Sequence, residues 1–168
     1  MIELNEITEE NFIDAFNLKL GEGQETFVSH PIRSLAQAYV YRNQCQPFGI
    51  YYDDEMVGYV MIIYDYDIPE YDIWHMMIDV THQGKGYGKE ALEHVIEYIK
   101  TKPFGDSNKV TLTCNKDNIK ALNLYINMGF MKTGVEDEDE IVEIVCLLSN
   151  YDIDTYPYTR LKLSQVLV

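Results

Sequence analysis

Hydrophobic and polar residues alternate along the first part of the chain in a pattern that predicts a strand followed by two helices. Ile2 and Leu4 alternate with polar neighbours, and Thr8 before two glutamates is typical of a helix cap. We expect a helix from Thr8 to Leu20, ended by the glycines at 21 and 23. Its apolar face would be formed by Phe12, Ile13, Phe16 and Leu20. A second helix is expected over about Ile32 to Asn43.

The next segment has the pattern of a β-hairpin. Phe48, Ile50 and Tyr52 alternate with smaller or polar residues, and Met56 to Tyr64 is a nearly continuous apolar run. Two aspartates and a glutamate lie between the two stretches. These residues predict two strands joined by a polar turn.

A third strand is predicted after an acidic interruption. The segment from Asp65 to Asp72 reads DYDIPEYD and is broken at Pro69, after which Ile73 to Val80 is apolar again. From Gly88 to Lys100 the apolar positions follow helical spacing. We therefore expect a strand, a glycine-rich turn and a helix in direct succession.

The C-terminal part predicts a strand, a helix and a last hairpin. We expect a strand over Val110 to Cys114, a helix over Ile119 to Met128 and a left-handed helix terminator at Gly129. Strands at 130–135 and 141–148 would bracket an acidic turn. The order of elements predicts an α+β fold with one domain over residues 1–148. We expect residues 149–168 to form an extension packed on the same domain.

The composition narrows the class of protein. The chain has 168 residues, of which 46% are hydrophobic and 24% charged, as in a globular domain with a real core. It carries 28 acidic and 13 basic residues, a net charge of −15. This charge repels nucleic acid and anionic lipid, so neither is an expected partner, whereas a cationic partner would be attracted. Many acidic proteins carry such a charge for solubility alone.

The cysteines and the N-terminus suggest a protein of a reducing compartment. Cys45, Cys114 and Cys146 are far apart and form no Cys-x-x-Cys pair, so we expect neither a disulfide framework nor a zinc site. The first residues are acidic where a signal peptide needs a basic start and an apolar run. We expect a cytoplasmic location.

A glycine-rich loop is the first feature that indicates chemistry. Residues 83–88 read Gln-Gly-Lys-Gly-Tyr-Gly and lie between the strand ending at Val80 and the helix beginning near Gly88. Such a loop can turn several backbone N–H groups toward one point, where the N-terminus of the helix favours negative charge. It matches neither the Walker loop nor the dinucleotide pattern. Taken alone, the glycines are equally consistent with a simple turn.

A second feature lies on the following helix. Asn118, Ala121 and Tyr125 are spaced by three and four residues and so share one helix face. Tyr125 and Asn118 would then face one site. The alternatives are a core aromatic residue for Tyr125 and an N-terminal helix cap for Asn118.

Together these motifs resemble the GNAT superfamily of acetyl-CoA-dependent N-acetyltransferases. The resemblance rests on Gln83, Gly86 and Gly88 of a Gln/Arg-x-x-Gly-x-Gly/Ala signature after an apolar strand, followed by Asn118 to Tyr125 and Gly129-Phe130. It covers nearly the whole chain up to the last hairpin. Within the family the chain is most like bacterial spermine/spermidine acetyltransferases, through residues 47–52, 57–60 and 78–86. The implied fold is a mixed, mostly antiparallel sheet with helices on both faces.

The resemblance also implies roles for individual residues, with acetyl-CoA as co-substrate and no metal. The edges of Met76, Met77 and Ile78 would pair with the pantetheine arm, and Tyr125 would protonate the leaving thiolate. A phenol suits that role because it stays protonated at neutral pH. The pyrophosphate would be held by Gln83, Gly84, Lys85, Gly86, Tyr87, Gly88 and Lys89. The thiol end would be lined by Asn118, Ile119, Lys120 and Ala121.

The acceptor side departs from the pattern of polyamine acetyltransferases. Those enzymes often carry an acidic residue on the strand before the loop, where this chain has Trp74. The nearest titratable residues are Glu70, Asp72 and His75, and we assign these three and Trp74 to acceptor binding. By strand alternation Glu70 and Asp72 share the face of Trp74, while His75 points the other way. The acidic segment 65–72 would lie at the acceptor entrance.

The implied activity is acetyl transfer to a primary amine, with a polyamine as the first candidate acceptor. A peptide N-terminus or another small amine of the aminoglycoside type is the alternative, and a non-catalytic acyl-CoA sensor is a third reading. A water chain in place of a side chain could remove the ammonium proton. A homodimer is left open.

Overall fold

The computed structural model describes residues 1–136 and 141–148. The acidic residues 137–140 and the C-terminal residues 149–168 lie outside the described residues. The expectations for that turn and for the extension therefore stay predictions.

The described residues form seven strands and four helices in the order that the sequence predicts. The strands are β1 (Ile2–Glu6), β2 (Cys45–Tyr52), β3 (Glu55–Asp65), β4 (Glu70–Ile78), β5 (Lys109–Asn115), β6 (Met131–Glu136) and β7 (Ile141–Leu147). The helices are α1 (Phe12–Asn17), α2 (Pro31–Val40), α3 (Tyr87–Lys100) and α4 (Ile119–Asn127). Single 3-10 turns lie at Gln24–Thr26 and Val80–His82.

All seven strands belong to one sheet, in the order β1-β2-β3-β4-β5-β7-β6. Every neighbouring pair is antiparallel except β4 and β5, which are parallel and connected through α3. The parallel ladder consists of Tyr71 opposite Val110 and Asp72 opposite Thr111. Beyond these two pairs the strands part, which leaves a gap in the middle of the sheet.

Helices cover both faces of the sheet, as predicted. On one face the buried residues of α3 and α4, among them Leu92, Val95 and Leu122, pack on Val60 and Ile62 of β3. On the other face Ala15 of α1 and Ala38 of α2 join Tyr59 and Met61. Burial of each large side chain stabilises the fold by about 1.5–3 kcal/mol, so the period-two pattern of β3 secures both layers at once. The prediction of an α+β fold with a mixed, mostly antiparallel sheet is confirmed.

The first helix differs from its prediction. It spans only six residues, and Thr8 does not cap it, because Asn11 precedes the helix and no side chain caps it. Phe12 and Ile13 are 36% and 51% exposed, whereas Ala15 and Leu18 are buried, so the predicted apolar face is wrong for these two residues. Leu20 of that face does pack against the core. Leu18 is already extended. The helix ends there rather than at the glycines because the carboxylate of Asp79 accepts the backbone N–H of Lys19 at 2.7 Å.

A bulge in β4 changes the direction of its side chains. Met61 lies opposite His75 and Ile62 opposite Ile73, so Trp74 is an extra residue in the ladder. As a result the rings of Trp74 and His75 stack on the same side of the sheet, 5.2 Å apart. The prediction that His75 points away from Trp74 is therefore wrong. Period-two alternation does not hold across a bulge.

Candidate active site

A cleft of about 1230 Å³ opens where β4 and β5 part. Its floor is β4 from Ile73 to Ile78, and one wall is formed by the loop 82–89 and the end of β5 with α4. A further wall comes from residues between α1 and α2, together with the start of α2. We call residues 83–89 the glycine loop and residues 18–30 the loop wall.

The edge of β4 supplies backbone groups to the cleft. Met76, Met77 and Ile78 all line it. Because β5 pairs with β4 only as far as Asp72 in the described residues, this edge has room for an extended ligand beside it. The role of Met76 to Ile78 in pairing with a pantetheine arm stays a prediction that this geometry supports.

The glycine loop forms a concave surface at the start of α3. Gly84 and Gly86 have φ values of +78° and +89°, a conformation that favours glycine, and Gly86 immediately precedes α3. No side chain caps this helix N-terminus, and a Cβ at either glycine would meet nothing within 4 Å. Backbone N–H groups and open space are what an anion requires. The residues of the loop therefore fit a pyrophosphate.

Most, but not all, residues of the predicted cofactor set line the cleft. Besides Met76, Met77 and Ile78, those that do are Gln83, Gly84, Gly86, Tyr87, Gly88, Lys89, Asn118, Lys120 and Ala121. Lys85 is outside the lining, with its ammonium 5.9 Å from the ring centre of Tyr87. Ile119 is also outside it and is 59% exposed.

The side chain of Gln83 is engaged by protein groups. Its Nε2 donates to Oε1 of Gln24 at 2.8 Å and to the carbonyl of Ile78 at 3.0 Å, and its Oε1 accepts from Nε2 of Gln24 at 3.1 Å. Any contribution of Gln83 to an anion site must therefore come from its backbone. Gln24 was missed in the sequence, because its partner is 59 residues away and no local pattern marks it.

Asp79 is a second residue that the sequence did not single out. Its carboxylate accepts the N–H of Lys19 at 2.7 Å, the N–H of Thr81 at 2.9 Å and the hydroxyl of Thr81 at 2.6 Å. Burial acts to raise the pKa of this carboxyl, but the hydrogen bonds outweigh it, and the pKa is lowered. Asp79 thus stays ionised and holds the loop wall to the end of β4.

Helix α4 presents Asn118 and Tyr125 to the cleft. The side chain of Asn118 accepts the N–H of Ala121 at 3.3 Å, so it is the helix cap. Tyr125 is 9% exposed and lines the cleft beside Cys114. Burial raises its pKa, and the charges of Cys114 and Asp72 add to the effect. The phenol is therefore protonated at neutral pH and can act as a proton donor.

His75 lies in the floor of the cleft, and its ring is held by a hydrogen bond to a buried side chain of α2. Its Nδ1 is 2.7 Å from Oγ of Ser34, which is in turn 2.9 Å from the hydroxyl of Tyr59. Ser34 and Tyr59 are fully buried. Burial lowers the pKa of His75 to about 4, and the nearby charge of Arg33 adds to this. His75 is therefore neutral at pH 7.

The structure does not bring Glu70 and Asp72 to the cleft lining. Glu70 pairs with Lys109 at 2.7 Å, and Asp72 accepts the hydroxyl of Thr111 at 3.2 Å. Asp65 caps its own turn by accepting the N–H groups of residues 67 and 68. Among the described residues, none of the acidic segment 65–72 lines the cleft, and Asp72 acts on it only through its charge near Tyr125. Of the four predicted acceptor residues, only Trp74 and His75 line it.

Near His75 the cleft is lined by the guanidinium of Arg33, at the start of α2, and by the imidazole of His30. Lys19 and Glu25 of the loop wall also line the cleft. Arg33 forms no ion pair with any residue of the described ranges. The acceptor end therefore offers a guanidinium without a counter-charge from the described chain.

The described residues contain no helix with the length and apolar character needed to cross a bilayer. They also contain no cluster of three His, Cys, Asp or Glu side chains arranged to hold a metal ion.

Comparisons with known proteins agree with this geometry. Residues 6–130 match the model of the acetyltransferase (GNAT) family. The chain is 29% identical, over 81% of its length and 91% of the relative, to a spermine/spermidine N(1)-acetyltransferase of Bacillus subtilis.

Solved structures show the same fold. A spermidine N-acetyltransferase from Vibrio cholerae in complex with CoA and spermine superposes with a TM-score of 0.73 at 20% identity, over 89% of this chain and 97% of that one. The ribosomal-protein-S18-alanine N-acetyltransferase of Escherichia coli gives a TM-score of 0.63 at 16% identity, over 93% and 99%.

Proposed function

The chain belongs to the acetyltransferase (GNAT) family as an acetyl-CoA-dependent N-acetyltransferase, and we propose that its acceptor is a primary amine of a polyamine such as spermidine or spermine. The observation that carries the acetyl-CoA part is the cleft between β4 and β5, with an anion-binding loop at one end and Tyr125 at its wall. The polyamine part is supported by the similarity to polyamine acetyltransferases.

Each part of the donor substrate has a matching group in the cleft. The backbone of the glycine loop and the start of α3 would bind the pyrophosphate. The free edge of β4 at Met76 to Ile78 would bind the pantetheine amides as a neighbouring strand would. The thioester would then point toward Tyr125 and the N-terminus of α4, which line the same cleft.

The chemistry is a direct attack of a neutral amine. The nitrogen lone pair forms a bond to the acetyl carbonyl carbon, and the carbon–sulfur bond breaks. Tyr125 donates its hydroxyl proton to the leaving thiolate and regains a proton from solvent, while the proton of the attacking nitrogen leaves to His75 or to water. His75 can accept it because it is neutral at pH 7, and its low pKa means that it passes the proton on to solvent.

A polyamine matches the net charge of the whole chain better than it matches the side chains that line the cleft. The net charge of −15 favours the approach of a cation. The cleft lining near His75, however, carries the guanidinium of Arg33, and none of residues 65–72 lines the cleft. The polyamine proposal thus rests on the relatives and on the long-range field.

Arg33 favours a second candidate. A guanidinium facing the cleft without a described counter-charge is suited to a carboxylate, which it can bind through two hydrogen bonds. An amine that also carries an acidic group, such as the N-terminus of an acidic peptide, would meet it.

An amine panel separates these candidates. Thiol release from acetyl-CoA would be measured with spermidine, spermine, a monoamine, and neutral and acidic peptide amines. The variants are Arg33→Gln and, as a matched control, Arg42→Gln, whose guanidinium lies over Tyr39 outside the cleft. At least about tenfold higher kcat/KM for spermidine than for the monoamine would support the polyamine proposal. A preference for the acidic peptide that only Arg33→Gln removes would support the second candidate, and no turnover with any amine would indicate a binding domain.

A further inference from the structure

We infer that Gln24 is a positioning residue for the acceptor, because its amide pair with Gln83 transmits the state of the glycine loop to the loop wall. The inference rests on the proposed function, in which the glycine loop binds acetyl-CoA and the loop wall faces the amine. Gln24 itself would not touch the reacting atoms.

The side-chain amides of Gln24 and Gln83 pair with each other, and each makes one further hydrogen bond to the backbone. Gln24 and Gln83 each donate an Nε2 proton to the other's Oε1, at 3.1 and 2.8 Å. Oε1 of Gln24 also accepts the N–H of Gly21 at 2.9 Å. Nε2 of Gln83 also donates to the carbonyl of Ile78 at the end of β4. One continuous chain of hydrogen bonds therefore runs from the floor of the cleft to the loop wall.

The loop wall has little regular structure of its own, so its position depends on contacts with neighbouring segments. Between α1 and α2 its regular structure is the single 3-10 turn Gln24–Thr26. The turn is preceded by Gly23 in the left-handed region, with a φ of +79°. Other described attachments of the loop wall are at Lys19, through Asp79 and the backbone of Val80, and at Leu20 and Val28, which pack against the core on the α1 and α2 face. Within residues 21–30 the Gln24–Gln83 pair is the described hydrogen bond to the glycine loop.

Binding at the glycine loop would act through this link. Phosphate groups held by the backbone after Gln83 restrict the loop, and Gln83 begins that loop. A restricted Gln83 holds Gln24, and so the segment 24–30, which runs along the cleft from the glycine loop to the start of α2, is already ordered when the amine arrives. The coupling must be reciprocal, so amine binding strengthens CoA binding to the same extent.

The test compares Gln24→Ala with the matched control Gln46→Ala, whose amide donates to the carbonyl of its neighbour Pro47 outside the cleft. In Gln24→Ala we expect the KM of the amine to rise about tenfold, with kcat and the Kd of CoA alone changed by less than about threefold. Gln46→Ala should match the wild type. Gln24→Glu keeps an acceptor for Gly21 and for Nε2 of Gln83 but turns an oxygen toward Oε1 of Gln83, so it should raise the KM of the amine as well.

Hydrogen exchange separates positioning from simple stabilisation. In the wild type, CoA should slow amide exchange about tenfold or more in both the glycine loop and residues 21–27. In Gln24→Ala, protection of the glycine loop should remain and that of residues 21–27 should be lost. Equal protection of residues 21–27 in the variant, or an equal rise of the CoA Kd and the amine KM, would overturn the inference. If CoA protects no segment of the wild type, the proposed function fails first and this inference fails with it.

Discussion

At the scale of single residues, Tyr125 serves both the core and the cleft. Its ring packs against Phe130 at 5.8 Å, and its hydroxyl is kept protonated by burial. Tyr125→Phe keeps the ring and removes the proton donor, so kcat should fall about 10²-fold while the Kd of acetyl-CoA stays unchanged. Steady-state thiol release and calorimetric titration measure the two quantities. Tyr98→Phe, a tyrosine of α3 packed against Phe48, is the control, and wild-type turnover in Tyr125→Phe would make Tyr125 a purely structural residue.

His75 should make the stability of the protein depend on pH. Its pKa is about 4 in the folded state and about 6.5 in an unfolded chain, because burial disfavours the charged ring. Between these values the unfolded state binds more protons, so the free energy of unfolding should rise with pH from 4 to 6.5. The slope contributed by one such group is at most about 1.4 kcal/mol per pH unit.

The variant His75→Gln removes this titration. Urea unfolding at pH 5 and pH 7 should show a smaller difference in His75→Gln than in the wild type. His94→Gln, at an exposed position of α3, should behave as the wild type. An unchanged pH dependence in His75→Gln would mean that His75 does not titrate differently in the folded and unfolded states.

At the scale of secondary-structure elements, the glycine loop and the start of α3 act as one unit. Gly86→Asp would place a side chain and a negative charge in the open space before the helix, at a φ of +89°. Wild-type protein should melt at a higher temperature with acetyl-CoA, and Gly86→Asp should lose most of that shift. Gly129→Asp, at a φ of +90° after α4, carries a similar backbone strain away from the loop and serves as the control. A full shift in folded Gly86→Asp would contradict the pyrophosphate site.

At the scale of the whole molecule, the net charge should act on a polycation at long range. With a charge of −15, the kcat/KM of spermidine should fall by about tenfold from low to high salt, since screening weakens the attraction. A monoamine should respond less because it carries less charge. Asp65→Asn with Asp67→Asn should leave spermidine kinetics nearly unchanged, since neither residue lines the cleft. A large loss of spermidine activity in that double variant would restore the acidic segment as an acceptor entrance.

Local features of the sequence determined the element order, the glycine loop and the face of α4. The period-two runs of β2 and β3 and the helical spacing of α3 recur in the structure within a few residues. Gly129 has a φ of +90° and follows α4 as predicted. These features depend on neighbours in sequence, so the pattern contains them. The residues of the predicted cofactor site came from the same local motifs and lie largely in one cleft.

Tertiary structure alone decided the contacts between distant segments. Asp79 ends α1 early through Lys19, 60 residues away, and Gln24 meets Gln83 across 59 residues. The bulge at Trp74 depends on pairing between two strands, and it turned His75 to the side that simple alternation excluded. The acidic segment 65–72 could be placed only once the course of β4 was known. Hydrogen bonds and ladder irregularities of this kind leave no periodic trace in the sequence, because each depends on which segments meet in space.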